Sequence, residues 1–399
     1  MKRFVAKYLY TIENEGAAPV ENGFVELDEE GRVIRTGKCE DPSSEGGNYY
    51  DGAIIPGMVN THCHVELSYM KGLFRKGTGM AGFIDQINAL RDVDPKEKRI
   101  EDIRYWMDRM YRRGVVAMGD ISNCSDSFAV KASSPMYTRT FLEVFGTEKK
   151  DSPAVMEAVL KLQDEGRSMG LDCAPTPHSC YTMSPELVTE SSREGLRSGY
   201  LSFHSEETPQ EEDMIRFGRG EMWDNRKKAG MSTPPVLGCS SLEYFIGRLE
   251  RIHPAPFTQN ILLVHEVCME REGMKTVRGK LPNAYISLCP LSNLYIHCAL
   301  PPVDVMREEG MNLTIGTDSL SSNDDLDMIQ EVRCLQDNFP GVPLSEILSW
   351  ATLGGARFLG KDGQLGSFEV GKAPGVVFVD NLSPEGRITP LSTSRRIDI

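Results

Sequence analysis

The chain has no apolar run of the roughly eighteen residues that a membrane-spanning helix needs. Its opening, MKRFVAKYLYTIENEG, carries basic residues but lacks the uninterrupted apolar core of a secretory signal. Neither a membrane span nor export is expected. Positive charge is also short: 44 lysines and arginines stand against 58 aspartates and glutamates, a formal net charge of −14 spread along the chain. That balance argues against a nucleic-acid-binding surface. No low-complexity segment or exact repeat interrupts the sequence. The ten cysteines are scattered through 399 residues, which fits a reduced, cytoplasmic setting better than a disulfide framework. Histidine is scarce, seven in all, so its placement is informative.

What the sequence does have is an alternation of short apolar runs and amphipathic stretches. Within residues 100–111, Ile100, Ile103, Met107 and Met110 recur at helical spacing, Gly114 closes the helix, and VVAMGD follows as a buried strand. The order repeats: MYTRTFLEVFG reads as a strand, PAVMEAVLKLQDEG as a helix begun by Pro153, and LDCAPT as a strand. YLSFH, NILLVH, AYISLC and NLTIGTD are further strands, and the run after Pro56 makes eight. Eight strands separated by helices predict an α/β fold, a (β/α)8 TIM barrel with its chemistry at the C-terminal ends of the strands. Both termini differ: RFVAKYLYTI, GFVELDEEGRVIRTG and LGSFEVGKAPGVVFVDN read as antiparallel material. The two ends are expected to pair into one small β domain, residues 1–53 with 364–399, beside a barrel over 54–363.

The polar residues fall at the ends of those strands. PGMVNTHCHVELS sets His62 and His64 two apart after a buried run, where alternation sends both imidazoles to one side. LSFHSEET ends in His204, LLVHEVC in His265 and TIGTDSL in Asp318. Each has a bland role available, as a buried histidine or a helix cap, but five converging on one rim point to a metal site. Imidazoles with one carboxylate suit zinc or ferrous iron and not magnesium or calcium. LDCAPTPHS has no lysine to bridge two metals, so a single ion is expected. Such an ion lowers the pKa of a bound water toward neutrality and needs a neighbouring proton shuttle, for which Glu207 and Glu206 compete.

These segments, with APTPHSCYTMSPEL, FHSEET, SLCPLSN and GTDSLSSNDDLDM, resemble the amidohydrolase superfamily, in its single-metal branch of cytosine/adenosine deaminases and chlorohydrolases. The resemblance covers essentially the whole chain. It implies a distorted barrel with a β-sandwich made of both termini, and a metal held by His62, His64, His204 and Asp318. It also implies that His265 polarises the substrate or holds the attacking water, that Glu207 moves protons, and that Asp318 doubles as a base. His178, in the fourth-strand loop, resembles the substrate-touching histidine of S-adenosylhomocysteine and methylthioadenosine deaminases. HCHVELS followed by KGTGMAGFIDQINALR is similar to aminofutalosine deaminases, and on that analogy Glu66 binds ribose hydroxyls or supports a ligand histidine. The expected partner is a small molecule, and barrels of this family are often homo-oligomers.

Hydrolytic deamination of a 6-aminopurine nucleoside is therefore expected. Hydrolysis of another ring substrate, such as a guanine- or cytosine-type base, a chlorotriazine or a cyclic amide, is the alternative; a catalytically inactive metabolite-binding barrel is the third. Asn293 and the DSLSSNDDLDM segment read as structural. Trp223, in the long connection 208–258, reads as a buried anchor rather than part of a lid.

Overall fold

The computed structural model describes every residue except Glu15, Asp92 and Ile399. Glu15 and Ile399 fall within the two terminal segments expected to pair, so that expectation is assessed without them. Four strands open the chain: β1 (Lys2–Leu9), β2 (Val20–Leu27), β3 (Val33–Lys38) and β4 (Tyr49–Pro56). Eight follow, β5 (Met58–Cys63), β6 (Val115–Ser122), β7 (Tyr137–Val144), β8 (Asp172–Pro177), β9 (Tyr200–Ser205), β10 (Asn260–His265), β11 (Ala284–Leu288) and β12 (Asn312–Ile315). The last two are β13 (Val376–Val379) and β14 (Ser394–Arg396).

The middle eight form two four-stranded sheets, β5-β6-β7-β8 and β9-β10-β11-β12, parallel throughout. They are runs such as Ile261–Val264 in which every side chain is buried, as strands covered on both faces must be. The sheets meet at both edges through single parallel bridges, Ser179 with His204 and Cys63 with Asp318. At the second edge Asn60 Nδ2 donates to Thr317 Oγ1 (2.8 Å), and the Thr317 amide donates back to Asn60 Oδ1 (3.1 Å). Helices run between the strands. Lys96–Arg112 buries Ile103, Met107 and Met110 as the spacing predicts, and Ser152–Ser168 starts with Pro153 in its first turn.

The two termini do pair, in one six-stranded sheet of order β14-β13-β4-β1-β2-β3. DEEGR is the turn between β2 and β3, where Asp28 Oδ1 accepts from the amides of Glu30 and Arg32 at 3.0 and 2.8 Å. Near the C-terminus the expected β material shrinks to the four residues of β13. Gly366, Gly371 and Gly375 before it adopt positive φ and turn the chain instead. Only Gly57 separates β4 from β5, and a Cβ there would lie 2.3 Å from the Pro374 carbonyl oxygen and 2.4 Å from Val116 Cγ1. The terminal sheet thus joins the parallel sheets through contact that no larger residue permits. All ten cysteines are free, and no helix among the described residues is long and apolar enough to cross a membrane.

Candidate metal centre

β5 delivers His62, fully buried, and His64 just beyond it, with their Nε2 atoms 3.1 Å apart. β9 brings His204, its ring centroid 4.8 Å from that of His62 and 5.6 Å from that of His64. One ring nitrogen from each of the three lies within 4.8 Å of the others. Asp318 follows β12 across the sheet edge, where its amide and that of Thr317 both donate to the His62 carbonyl, at 3.0 and 3.1 Å. Gly316 allows that approach: a Cβ would sit 2.8 Å from both Cβ and O of His62. Asp318 Oδ1 stands 3.5 Å from His64 Nε2 and 3.7 Å from His62 Nε2. Its Oδ2 accepts from the hydroxyls of Ser292 (2.6 Å) and Ser322 (2.7 Å), which fix the carboxylate plane.

His265 ends β10. Asn293 Nδ2 donates to its Nδ1 at 3.0 Å, which leaves the ring proton on Nε2, 3.5 Å from Glu207 Oε1. Asn293 thus positions the His265 ring, and Asp327 in the DSLSSNDDLDM segment caps the helix Met328–Asn338 through the Ile329 amide (3.0 Å). Glu207 precedes the helix Pro209–Phe217, and its own amide donates to Glu211 Oε2 at 2.9 Å.

Burial sets the charge states. It holds His64 and His265 well below the ordinary imidazole range and His204 down at about 3, so these rings are neutral. It pushes Glu207 well above the carboxylate range, with the charges of Asp318 and Glu211 adding to it. Burial would raise Asp318 too, but the imidazoles of His62 and His64 beside its Oδ1 outweigh it and hold that carboxyl well below its usual value. One pocket therefore contains a carboxyl pushed up by burial and another pulled down by its neighbours.

The donor set suits a divalent cation. Two Nε2 atoms at 3.1 Å, a third imidazole beside them and an anionic oxygen leave lone pairs facing one another in a dry site, a placement that a cation relieves. His204 Nδ1 lies 3.2 Å from the His178 carbonyl oxygen, which orients the ring with Nε2 toward the other imidazoles.

A cavity of about 220 Å3 opens onto this cluster, lined at its deep end by His64, His178, His204, Glu207, His265 and Asp318. Met80, Phe83, Ile84 and Ile87 from the helix Gly79–Leu90 also line it, with Asn88 and Arg91 beside them. His178 is part of the lining. Glu66 is not: both its oxygens accept from the Asn123 amide, at 3.0 and 2.9 Å, and it is absent from the lining. No residue of the 208–258 connection lines the cavity, and Trp223 packs against the core only half-buried, short of the buried anchor expected. Sequence reasoning missed Glu143, at the C-terminal end of β7 on the cavity wall, and the wholly buried pair Asp120–Lys131 beneath it. The rule that singled out His204, a polar residue ending a buried strand, also finds Glu143.

The amidohydrolase family model matches residues 53–398. A 5-methylthioadenosine/S-adenosylhomocysteine deaminase of Moorella thermoacetica is 27% identical over 353 residues, 84% of this chain and 74% of that protein. Among solved structures, aminofutalosine deaminase of Helicobacter pylori in complex with methylthio-coformycin superposes with a TM-score of 0.77 at 21% identity, covering 98% of this chain and 94% of that one. An adenosine deaminase from Xanthomonas campestris with bound zinc gives 0.70 at 21% identity, covering 98% and 86%. With the family model spanning most of its length, the chain belongs to the amidohydrolase family.

Proposed function

We propose that the chain is a metal-dependent aminohydrolase that replaces the 6-amino group of an adenine nucleoside by oxygen and releases ammonia. The observation that carries the reading is that Glu207 and Asp318 face the same small cavity beside three converging imidazoles. Relatives that bear the methylthioadenosine/S-adenosylhomocysteine deaminase name, at 25–27% identity over most of the chain, support the substrate class.

His62, His64, His204 and Asp318 would hold one ion, zinc by preference for this donor set and ferrous iron as the alternative. When bound, the cation supplies Lewis-acid chemistry that makes hydroxide available near neutrality. Glu207 places its proton on ring N1, which draws electrons from carbon 6. Asp318, fixed by two serine hydroxyls, accepts one proton from the attacking water and passes it to the departing amine, and Glu207 recovers a proton from the new hydroxyl as the 6-oxo group forms. His265, its proton set on Nε2 by Asn293, donates to the oxygen arriving at carbon 6. The side chains of Met80, Phe83, Ile84 and Ile87 offer apolar contact to a substituent beyond the sugar.

The same proposal includes a closed eight-stranded barrel over 54–363, supported by the bridges at both sheet edges. It includes a two-layered domain of residues 1–53 with 364–399, supported by apolar clusters on both faces of β1 and β2: Phe4, Ala6 and Val25 with Phe368 and Val376 on one, Val5 and Phe24 with Cys39 on the other. Ten free cysteines support a reducing, cytoplasmic setting. The homo-oligomer that the family resemblance implies is read by sedimentation.

The test is ammonia release and loss of adenine absorbance by metal-loaded protein across adenosine, S-adenosylhomocysteine, methylthioadenosine, aminofutalosine, guanine and cytosine, with Glu207→Gln as control. Turnover of an adenine nucleoside, abolished in the control, supports the proposal. Silence with metal bound transfers it to hydrolysis of another ring substrate.

A further inference from the structure

Glu143 is the anomaly of the cavity wall. Its side chain is 5% exposed, and its Oε2 accepts from Asn123 Nδ2 at 3.1 Å. Oε1 is enclosed and accepts from nothing, a destabilising state for a buried acceptor. Two imidazole nitrogens beside it do not reach it. His178 Nε2 is 3.8 Å away, and His204 Nδ1, at 3.7 Å, is already engaged with the His178 carbonyl.

His178 faces the same gap with a donor. Its Nδ1 lies 2.8 Å from Ser179 Oγ and 2.7 Å from Thr182 Oγ1, two hydroxyls that lock the ring. With Nδ1 accepting from one of them, the neutral imidazole carries its proton on Nε2, toward the cavity. Glu143 Oε1 and His178 Nε2 thus stand 3.8 Å apart on two residues that both line the cavity. A group that both gives and takes one hydrogen bond completes the pair. A hydroxyl does so; an ammonium cannot accept, and a methyl group can do neither.

We propose that Glu143 and His178 together read a hydroxyl group on the sugar of the substrate, so that the enzyme selects a ribonucleoside over its deoxy analogue and over the free base. The inference rests on the deaminase reading and extends it. It also moves the recognition of sugar hydroxyls from Glu66, which is absent from the cavity lining, to Glu143, which is part of it. Glu143 touches the substrate and takes no proton from it; its role is selection and placement.

The experiment compares wild type with Glu143→Gln on adenosine, 2′-deoxyadenosine and 3′-deoxyadenosine. It is paired with calorimetric binding of inosine and its two deoxy forms to metal-loaded protein, and with metal content. In wild type, removing the hydroxyl that is read lowers kcat/KM and product affinity roughly 10- to 100-fold, the scale of a hydrogen bond to a charged acceptor. Glu143→Gln loses a similar factor on adenosine and little more on that deoxynucleoside, with its metal retained.

Wild type that treats all three nucleosides alike overturns the proposal. A variant that loses the same factor on every substrate, or sheds its metal, also overturns it, since Glu143 then merely supports His204. Two metal equivalents in wild type and one in the variant overturn it in favour of an ion shared by Glu143, His178 and His204, whose ligand atoms lie within 4.8 Å of one another. Inosine binding that depends on the hydroxyl and on Glu143, without turnover of any adenine nucleoside, keeps the proposal and removes the deaminase reading. Absence of both removes both.

Discussion

Replacing Lys131 by methionine tests how dry the floor of the site is. Lys131 Nζ and Asp120 Oδ2 are 2.5 Å apart with both side chains wholly buried. Lys131 also donates to Ser122 Oγ at 2.8 Å and Thr140 Oγ1 at 3.3 Å. Asp120 has a second duty: its Oδ1 accepts from the amide of Val65 at 2.9 Å, the residue after His64. Methionine keeps much of the volume and removes the cation, leaving a carboxylate buried with neutral donors only. Breaking one side of such a pair costs about 3–5 kcal/mol. The double variant Asp120→Asn/Lys131→Met keeps an oxygen for the Val65 amide and buries no charge, so it should return to within about 2 kcal/mol of wild type. Urea unfolding of the metal-loaded proteins measures both, and zinc affinity in the single variant should fall roughly tenfold as the His64 segment loosens. A single variant that loses less than about 1 kcal/mol, or a double variant no better than the single, refutes the reasoning: water would then reach the pair.

Removal of the cation by a chelator should abolish activity and lower thermal stability. At a metal concentration 100 to 1,000 times Kd the stabilisation lost is about 3–4 kcal/mol, and one equivalent of zinc should restore both; a protein indifferent to chelation contradicts the metal centre. Glu211 makes stability fall with pH. Burial raises its carboxyl to about 8 from 4.5, so the folded state favours the protonated form; that contribution is full below about 4.5 and disappears as pH rises through 8. Glu211→Gln should flatten the decline between pH 5 and 8.5 by about 4 kcal/mol, and parallel curves for the two proteins count against it. Asn293→Leu, which frees His265 to carry its proton on either nitrogen, should lower kcat at least tenfold with zinc content unchanged; an unaltered kcat argues against tautomer control.

The eight parallel strands were legible because a strand buried on both faces has to be a short apolar run, and NILLVH or AYISLC admits little else. The imidazole cluster was legible for a related reason. A histidine that ends such a run stands at the rim of a sheet, and four strands do this with His62, His204, His265 and Asp318 near their ends. Contacts made by backbone groups distant in sequence were not legible. Glu66 looks like a binding residue in HCHVELS, but its fate is decided by the amide of Asn123, 57 residues on. Asp120 and Lys131 are 11 positions apart across a strand and a short helix, and nothing in VVAMGD distinguishes a buried ion pair from a turn. Toward the C-terminus, LGSFEVGKAPGVVFVDN has the composition of a hairpin, yet three glycines with positive φ leave only Val376–Val379 as a strand.

The choice between Glu206 and Glu207 shows how backbone conformation settles what side-chain chemistry leaves open. Both are buried, and burial raises both carboxyls, Glu206 to about 7 and Glu207 well beyond the ordinary range. Neither exposure nor proton affinity separates them. The chain does: Glu206 adopts φ +49, in the left-handed region that a non-glycine residue enters at a cost of about 1–3 kcal/mol. Its carbonyl then accepts from the Cys268 amide at 2.8 Å, and its side chain lies toward Ser240 and Glu212, off the cavity lining, while Glu207 takes the place facing His265. His265 (φ +78), Glu266 (+52) and Asp318 (+56) share this conformation, so the strain gathers where three strands hand over to the site. If that turn assigns the roles, Glu206→Gln should keep kcat within about threefold of wild type, while Glu207→Gln should lose roughly 100- to 10,000-fold. The discriminating measurement is kcat for both variants at matched metal content. Comparable losses would mean that the turn does not separate the two carboxyls and that both serve the proton path.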